Sequence, residues 1–112
     1  MLVAERASFR ALPEPIRARI EDRLVDIDPS MERSAIEAMD PEGLLILDPV
    51  AERRAIELGT SGPADAAGAI AAIDAAVEVV QGGVADALVT LPVSKESIAH
   101  HHLADFRGHT EY

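Results

Sequence analysis

The chain has 112 residues, with ten Lys or Arg against twenty Asp or Glu, and its net charge of −10 is repelled by nucleic acid and by anionic membrane surfaces. It has no cysteine, which removes disulfides, thiolate chemistry and cysteine-based zinc sites together. No apolar run reaches the roughly 18 residues of a membrane helix and no signal-peptide pattern opens the chain, so the expectation is one small, partial cytoplasmic domain over residues 1–112.

Hydrophobic residues make up 48% of the sequence, but aromatic ones only 3%, and alanine fills much of the remainder. At about 25 cal/mol per Å² of buried apolar surface, small side chains return little against backbone entropy. A marginal core that gains from a partner surface is therefore expected.

Along the chain, the charged first segment is punctuated by Pro13 and Pro15. Pro15 suits the first turn of a helix in which Ile16, Ile20 and Leu24 recur every four residues, with Arg17, Arg19, Glu21 and Asp22 facing water. Asp28-Pro29-Ser30 reads as a turn, and residues 34–39 as one or two helical turns. The apolar run Leu44-Leu45-Ile46-Leu47, closed by Pro49, reads as a buried strand, and the charged Glu52-Arg53-Arg54 follows it.

The clearest element spans residues 63–81. Ser61 lies where an N-cap belongs, Pro63 fits the first turn, and Ala66, Ile70, Ile73, Val77 and Val80 form a stripe at helical spacing. Gly82-Gly83 supply the conformational freedom that ends such a helix. Residues 85–90 (Ala-Asp-Ala-Leu-Val-Thr) then read as a strand covered on both faces, giving a β-α-β unit in the second half and an α/β fold class. Ser94 caps a short helix through about Ala99.

Chemistry is concentrated after that strand. In parallel α/β sheets, ligands bind beyond the carboxyl ends of strands, where Thr90, Ser94 and Lys95 fall. Ser94 and Lys95 offer a hydroxyl, free backbone N–H groups and a positive charge to a phosphate; read alone, however, they are better taken as a plain cap and a solvated lysine. Gly108 permits close backbone approach to a ligand, and His109 beside Thr110 offers a proton-exchanging ring and a hydroxyl. Asp86 reads as a structural acceptor, and Glu111 as an orienting partner of His109. His100, His101 and His102 point in different directions on a helix, so the run reads as an exposed helix end rather than a metal site. There is no paired-carboxylate spacing, nucleophile elbow, P-loop or dinucleotide glycine fingerprint.

Taken together, residues 62–112 resemble the 4-hydroxythreonine-4-phosphate dehydrogenase family of vitamin B6 biosynthesis. The resemblance is carried by the alanine-rich helix and by Gly83, Asp86, Ala87, Leu88, Val89 and Thr90. Pro92, Lys95 and Glu96 continue it, and Phe106-Arg107-Gly108-His109-Thr110-Glu111 closes it. Residues 1–60 match more weakly. The resemblance implies part of a fold similar to the isocitrate and isopropylmalate dehydrogenases, with the active site between domains and across a homodimer. It implies oxidation of 4-phosphooxy-threonine (4-hydroxythreonine 4-phosphate), or a related phosphorylated hydroxy acid, with NAD or NADP and a divalent metal. The β-keto acid product can lose carbon dioxide. The His-Thr pair of that family contacts substrate, which carries the role onto His109 and Thr110. The family's Gly-Asp-Pro-x-Gly-Ile-Gly opening is not present, and its metal-binding histidines lie further along the chain than Tyr112. The stretch from Lys95 to His109 is one residue longer than the family pattern. The implied chain is thus partial, inactive alone, and without a metal site or nucleotide site of its own. Two rivals stand beside this reading: a non-catalytic partner subunit, and a phosphate-binding module built on Ser94, Lys95, His109 and Thr110.

Overall fold

The computed structural model describes residues 1–39, 42–50 and 54–112. Glu52 and Arg53 of the charged stretch lie outside them. The element order is β1 (Leu2–Val3), α1 (Arg6–Arg10), α2 (Glu14–Ile20), β2 (Leu24–Asp26), α3 (Arg33–Glu37), β3 (Leu44–Leu47), α4 (Pro63–Gln81) and α5 (Lys95–His101). A 3-10 turn, Glu21–Arg23, joins α2 to β2.

The sheet is parallel, with β3 between β1 and β2. Leu2 and Val3 pair with Ile46 and Leu47, while Leu24, Val25 and Asp26 pair with Leu44, Leu45 and Ile46. This is an α/β architecture, as the sequence indicates. The central strand is the apolar run closed by Pro49, and Ile46 and Leu47 are buried on it. Asp48, just past its end, accepts hydrogen bonds from the backbone N–H groups of Arg6 and Val50, both at 2.9 Å, which ties the start of α1 to the strand end.

Helix α2 stops earlier than the four-residue spacing suggests. Ile16 is exposed, so the spacing marks no buried stripe, and Leu24 leaves the helix to pair with Leu44 in the sheet. A β-branched or leucine side chain beside a strand partner gains more from cross-strand packing than from a solvated helix face. At the following turn, the Asp28 carboxylate accepts from the Ser30 N–H at 2.8 Å and from its hydroxyl at 2.5 Å, which holds that carboxyl below its usual range.

Helix α4 begins and ends where the sequence places it. Its N-cap is Gly62 rather than Ser61, and Asp65 reaches back to accept from the Gly62 N–H at 2.7 Å. At the other end, Gly83 takes φ +72°; its N–H donates to Val80 O at 3.0 Å, and that of Val84 donates to Val79 O at 3.0 Å. This paired closure satisfies carbonyls that the last turn leaves free, and it needs a left-handed residue at Gly83. Ala66, Ile70 and Ile73 of the stripe are buried with Ile98 of α5 and Phe106, while Ala69, Val93 and Leu103 pack against them. Val77 is half-exposed, and Ala76 is buried in the stripe's last turns.

Residues 85–90 do not form the strand expected of them. No backbone group of residues 87–92 enters a backbone hydrogen bond among the described residues, and Val89 and Leu91 are 88% and 76% exposed. The β-α-β unit of the second half is therefore not closed; the parallel crossover observed is β2-α3-β3. The physical reason is that an extended segment joins a sheet only where a neighbouring strand offers it partners, and otherwise leaves its backbone to water, whereas a helix satisfies its own.

Candidate functional site

The second half gathers its polar residues around the carboxy-terminal turn. Phe106 sits in the core between α4 and α5, and its N–H donates to Leu103 O at 3.0 Å. Tyr112 closes the turn: its N–H donates to Gly108 O at 3.1 Å, and its hydroxyl donates to Asp74 Oδ1 of α4 at 2.9 Å. Its ring lies 5.8 Å from that of Phe106. The bond to Asp74 raises the Tyr112 phenol above its ordinary pKa. Residues 108–112 thus form a loop anchored at both ends, which presents a half-buried His109 and exposed Thr110 and Glu111.

Helix α5 supplies the other side. Ser94 caps it by accepting from the Ser97 N–H at 3.2 Å, and the Ser97 hydroxyl pairs with that of Ser61 in the approach to α4. Lys95 follows, and its side chain lies against Gly108: a Cβ on that glycine would stand 3.0 Å from Lys95 Nζ and 3.2 Å from Glu111 Oε2. The structure therefore brings Lys95 and Glu111 together at Gly108, the residue that precedes His109 and Thr110 in the chain. Ser94 is engaged as a cap, and Thr90 lies on the exposed, unpaired segment. His100 and His101 end α5 edge to face, with ring centroids 4.6 Å apart.

Asp86 is a structural acceptor. It accepts from the two terminal guanidinium nitrogens of Arg33, at 2.8 and 3.1 Å, which holds the Asp86 carboxyl below its ordinary range; Asp86, and then Glu37 at Nε, raise the Arg33 pKa. A second cluster escaped sequence reading. Arg54 donates to both oxygens of the buried Glu5, at 2.7 and 2.8 Å, and to Asp65 at 2.6 Å, lowering the Asp65 pKa. Gly68 of α4 leaves room for it, since a Cβ there would meet Glu5 Oε2 at 2.9 Å. One guanidinium bridges two carboxylates, one from each region, which marks it as a tie between the chain's start and α4. Neither spacing nor composition links Glu5 to Arg54, so only the fold could reveal it.

The family model of pyridoxal phosphate biosynthetic protein PdxA matches residues 5–112. The chain belongs to that family. The match reaches well ahead of residues 62–112, so the sheet half of the molecule belongs to the same PdxA pattern as the helical half. No solved structure matches the chain. Membership in the PdxA family assigns the chain to pyridoxal phosphate biosynthesis.

The metal and nucleotide that the resemblance implies find no fit in these residues. Among the described residues, no three His, Asp or Glu converge as a metal-ion site. The seven glycines include no dinucleotide fingerprint. No helix among the described residues is long and apolar enough to cross a membrane.

Proposed function

We propose that the chain carries part of the substrate site of a cytoplasmic NAD(P)- and divalent-metal-dependent dehydrogenase acting on 4-phosphooxy-threonine or a related phosphorylated hydroxy acid. His109 and Thr110 contact the substrate, and Ser94 and Lys95 lie on its phosphate side. The observation that supports this reading is the loop at residues 108–112, closed by Tyr112, whose Gly108 lies against the Lys95 side chain and directly precedes His109 and Thr110 in the chain. In this role the Thr110 hydroxyl and the His109 ring hydrogen-bond the polar groups of the hydroxy acid. Lys95 contributes charge toward an anionic ester. Metal and nucleotide are held by residues outside this set.

Calorimetric titration of 4-phosphooxy-threonine into the purified chain tests the proposal. The expected result is binding that is lost in the His109→Ala, Thr110→Ala double variant. Binding that survives this change would remove the two residues from the site. The chain alone should also form no NADH or NADPH with substrate and divalent metal; measurable reduction would refute the division of labour.

A second reading, in which the chain works as a subunit of a larger assembly such as a homodimer, is favoured by the apolar exposure of Leu88, Val89 and Leu91. Sedimentation at micromolar concentration tests it. A strictly monomeric chain that also ignores a full-length family enzyme would contradict it.

A further inference from the structure

Lys95 and Glu111, opposite in charge, approach one point in space, the vacant side-chain position of Gly108. Gly108 is buried with φ +147°, a backbone region that side-chain-bearing residues rarely adopt. Three atoms crowd its bare α-carbon: Lys95 Nζ at 3.0 Å from the position of a Cβ, Lys95 Cε at 3.1 Å and Glu111 Oε2 at 3.2 Å. Neither charge has an ion-pair partner within 4.0 Å among the described residues, although Arg6, Arg17, Arg33 and Arg54 are each paired with carboxylates. An ammonium with three donors is therefore left beside a carboxylate without committing to it. The next residues along the chain are His109 and Thr110.

We infer that Gly108 and Glu111 are positioning residues that set the charge available to a phosphate monoester at this site, an inference that rests on the substrate-site reading given under Proposed function. The bare α-carbon of Gly108 lets the Lys95 ammonium lie across the start of the His109–Thr110 turn. Glu111 faces the same ammonium and competes for it. A phosphate monoester carries more negative charge than a carboxylate and offers three strong acceptor oxygens, so it takes Lys95 from Glu111 when it binds. The ligand class that fits is a phosphate monoester bearing a hydroxyl within reach of His109 and Thr110. A sulfate carries charge without the hydroxyl, and a hydroxy acid without the ester carries the hydroxyl without the phosphate's charge.

The test titrates O-phospho-L-threonine into the 112-residue chain and its variants by calorimetry. Lys95→Met, which keeps the aliphatic stem and removes the charge, should weaken binding about tenfold or more, the scale of a lost charge-assisted hydrogen bond. Gly108→Ala should weaken it to a similar extent by pushing Lys95 aside. Glu111→Gln should tighten binding about threefold, because a competing surface charge has gone. A purely structural Glu111 would not produce that gain. Amide NMR spectra report whether Gly108→Ala stays folded, and the two surface variants decide the matter if it does not. If Glu111→Gln leaves affinity unchanged or lowers it, or if a folded Gly108→Ala binds like the parent, the inference is overturned while the substrate-site reading stands. If His109→Ala and Thr110→Ala leave binding intact, the substrate-site reading itself fails. A parent chain that does not bind the probe overturns both.

Discussion

Residues 63–81 and residues 85–91 are alike in their richness in Ala, Val, Ile or Leu, yet α4 buries its stripe while Leu88, Val89 and Leu91 face solvent. Helix α4 completes its backbone hydrogen bonds within itself, closes both ends with Asp65 and Gly83, and needs only α5 and Phe106 to cover one face. The second stretch has strand composition but no neighbouring strand among the described residues, and beyond the Ala85 N–H, which donates to Val79 O at 3.3 Å, its backbone enters no backbone hydrogen bond among them. An apolar helix carries its own partner groups; an apolar strand is a statement about a neighbour.

Substitutions should separate the two regions. The largest effect belongs to Ile98, 1% exposed between α4 and the loop that follows α5. Ile98→Ala should cost about 3 kcal/mol through lost burial and a residual cavity, whereas Leu91→Ser should change stability by less than about 0.5 kcal/mol. Urea unfolding monitored by circular dichroism measures both. An equal cost at the two positions would mean that residues 85–91 are packed in solution.

Next in size is Arg54→Met. It strands the buried Glu5 carboxylate and frees Asp65, and should destabilise the chain by about 3 kcal/mol, at the low end for one partner of a buried pair because Asp65 is partly solvated. The same denaturant titration reports it, and a loss smaller than that of a surface arginine would show that the cluster is not a tie. Gly83→Ala should cost about 1 kcal/mol, because the new side chain must enter a left-handed conformation, with no steric contact to add to it.

The smallest effect is electrostatic. Asp65 and Asp86 have their folded pKa values lowered, first by hydrogen bonds from Arg54 and Arg33 respectively. A depressed carboxyl contributes stability that is complete above the unfolded value of about 3.9 and is lost as pH falls through the lower folded value. Stability should therefore decline below about pH 4, and Arg33→Met should make that decline shallower. Thermal melts between neutral pH and pH 2.5 follow it; an unchanged slope would remove the Arg33–Asp86 pair from the acid response.

Sequence reading succeeded where local rules are self-sufficient. Pro63 and Gly82-Gly83 bracket α4, the run closed by Pro49 holds β3, and Ser94 caps α5. It failed where the deciding partner is distant. Leu24 continues a helical spacing but joins Leu44 across the sheet, and the two-residue β1 carries too little pattern to stand out. At the site, the motif drew attention to His109 and Thr110. The approach of Lys95 to Gly108 depends on how Phe106 and Tyr112 anchor the loop to α4, which spacing does not encode.

The proposed substrate-binding surface comprises residues 94–95 and 108–111. A two-dimensional amide NMR titration with 4-phosphooxy-threonine addresses it most directly. The expected result is saturable shifts concentrated at Ser94, Lys95 and residues 108–111, with α1, α2 and β2 unmoved. Shifts centred elsewhere on the chain, or none at ligand concentrations that saturate a full-length family enzyme, would contradict it.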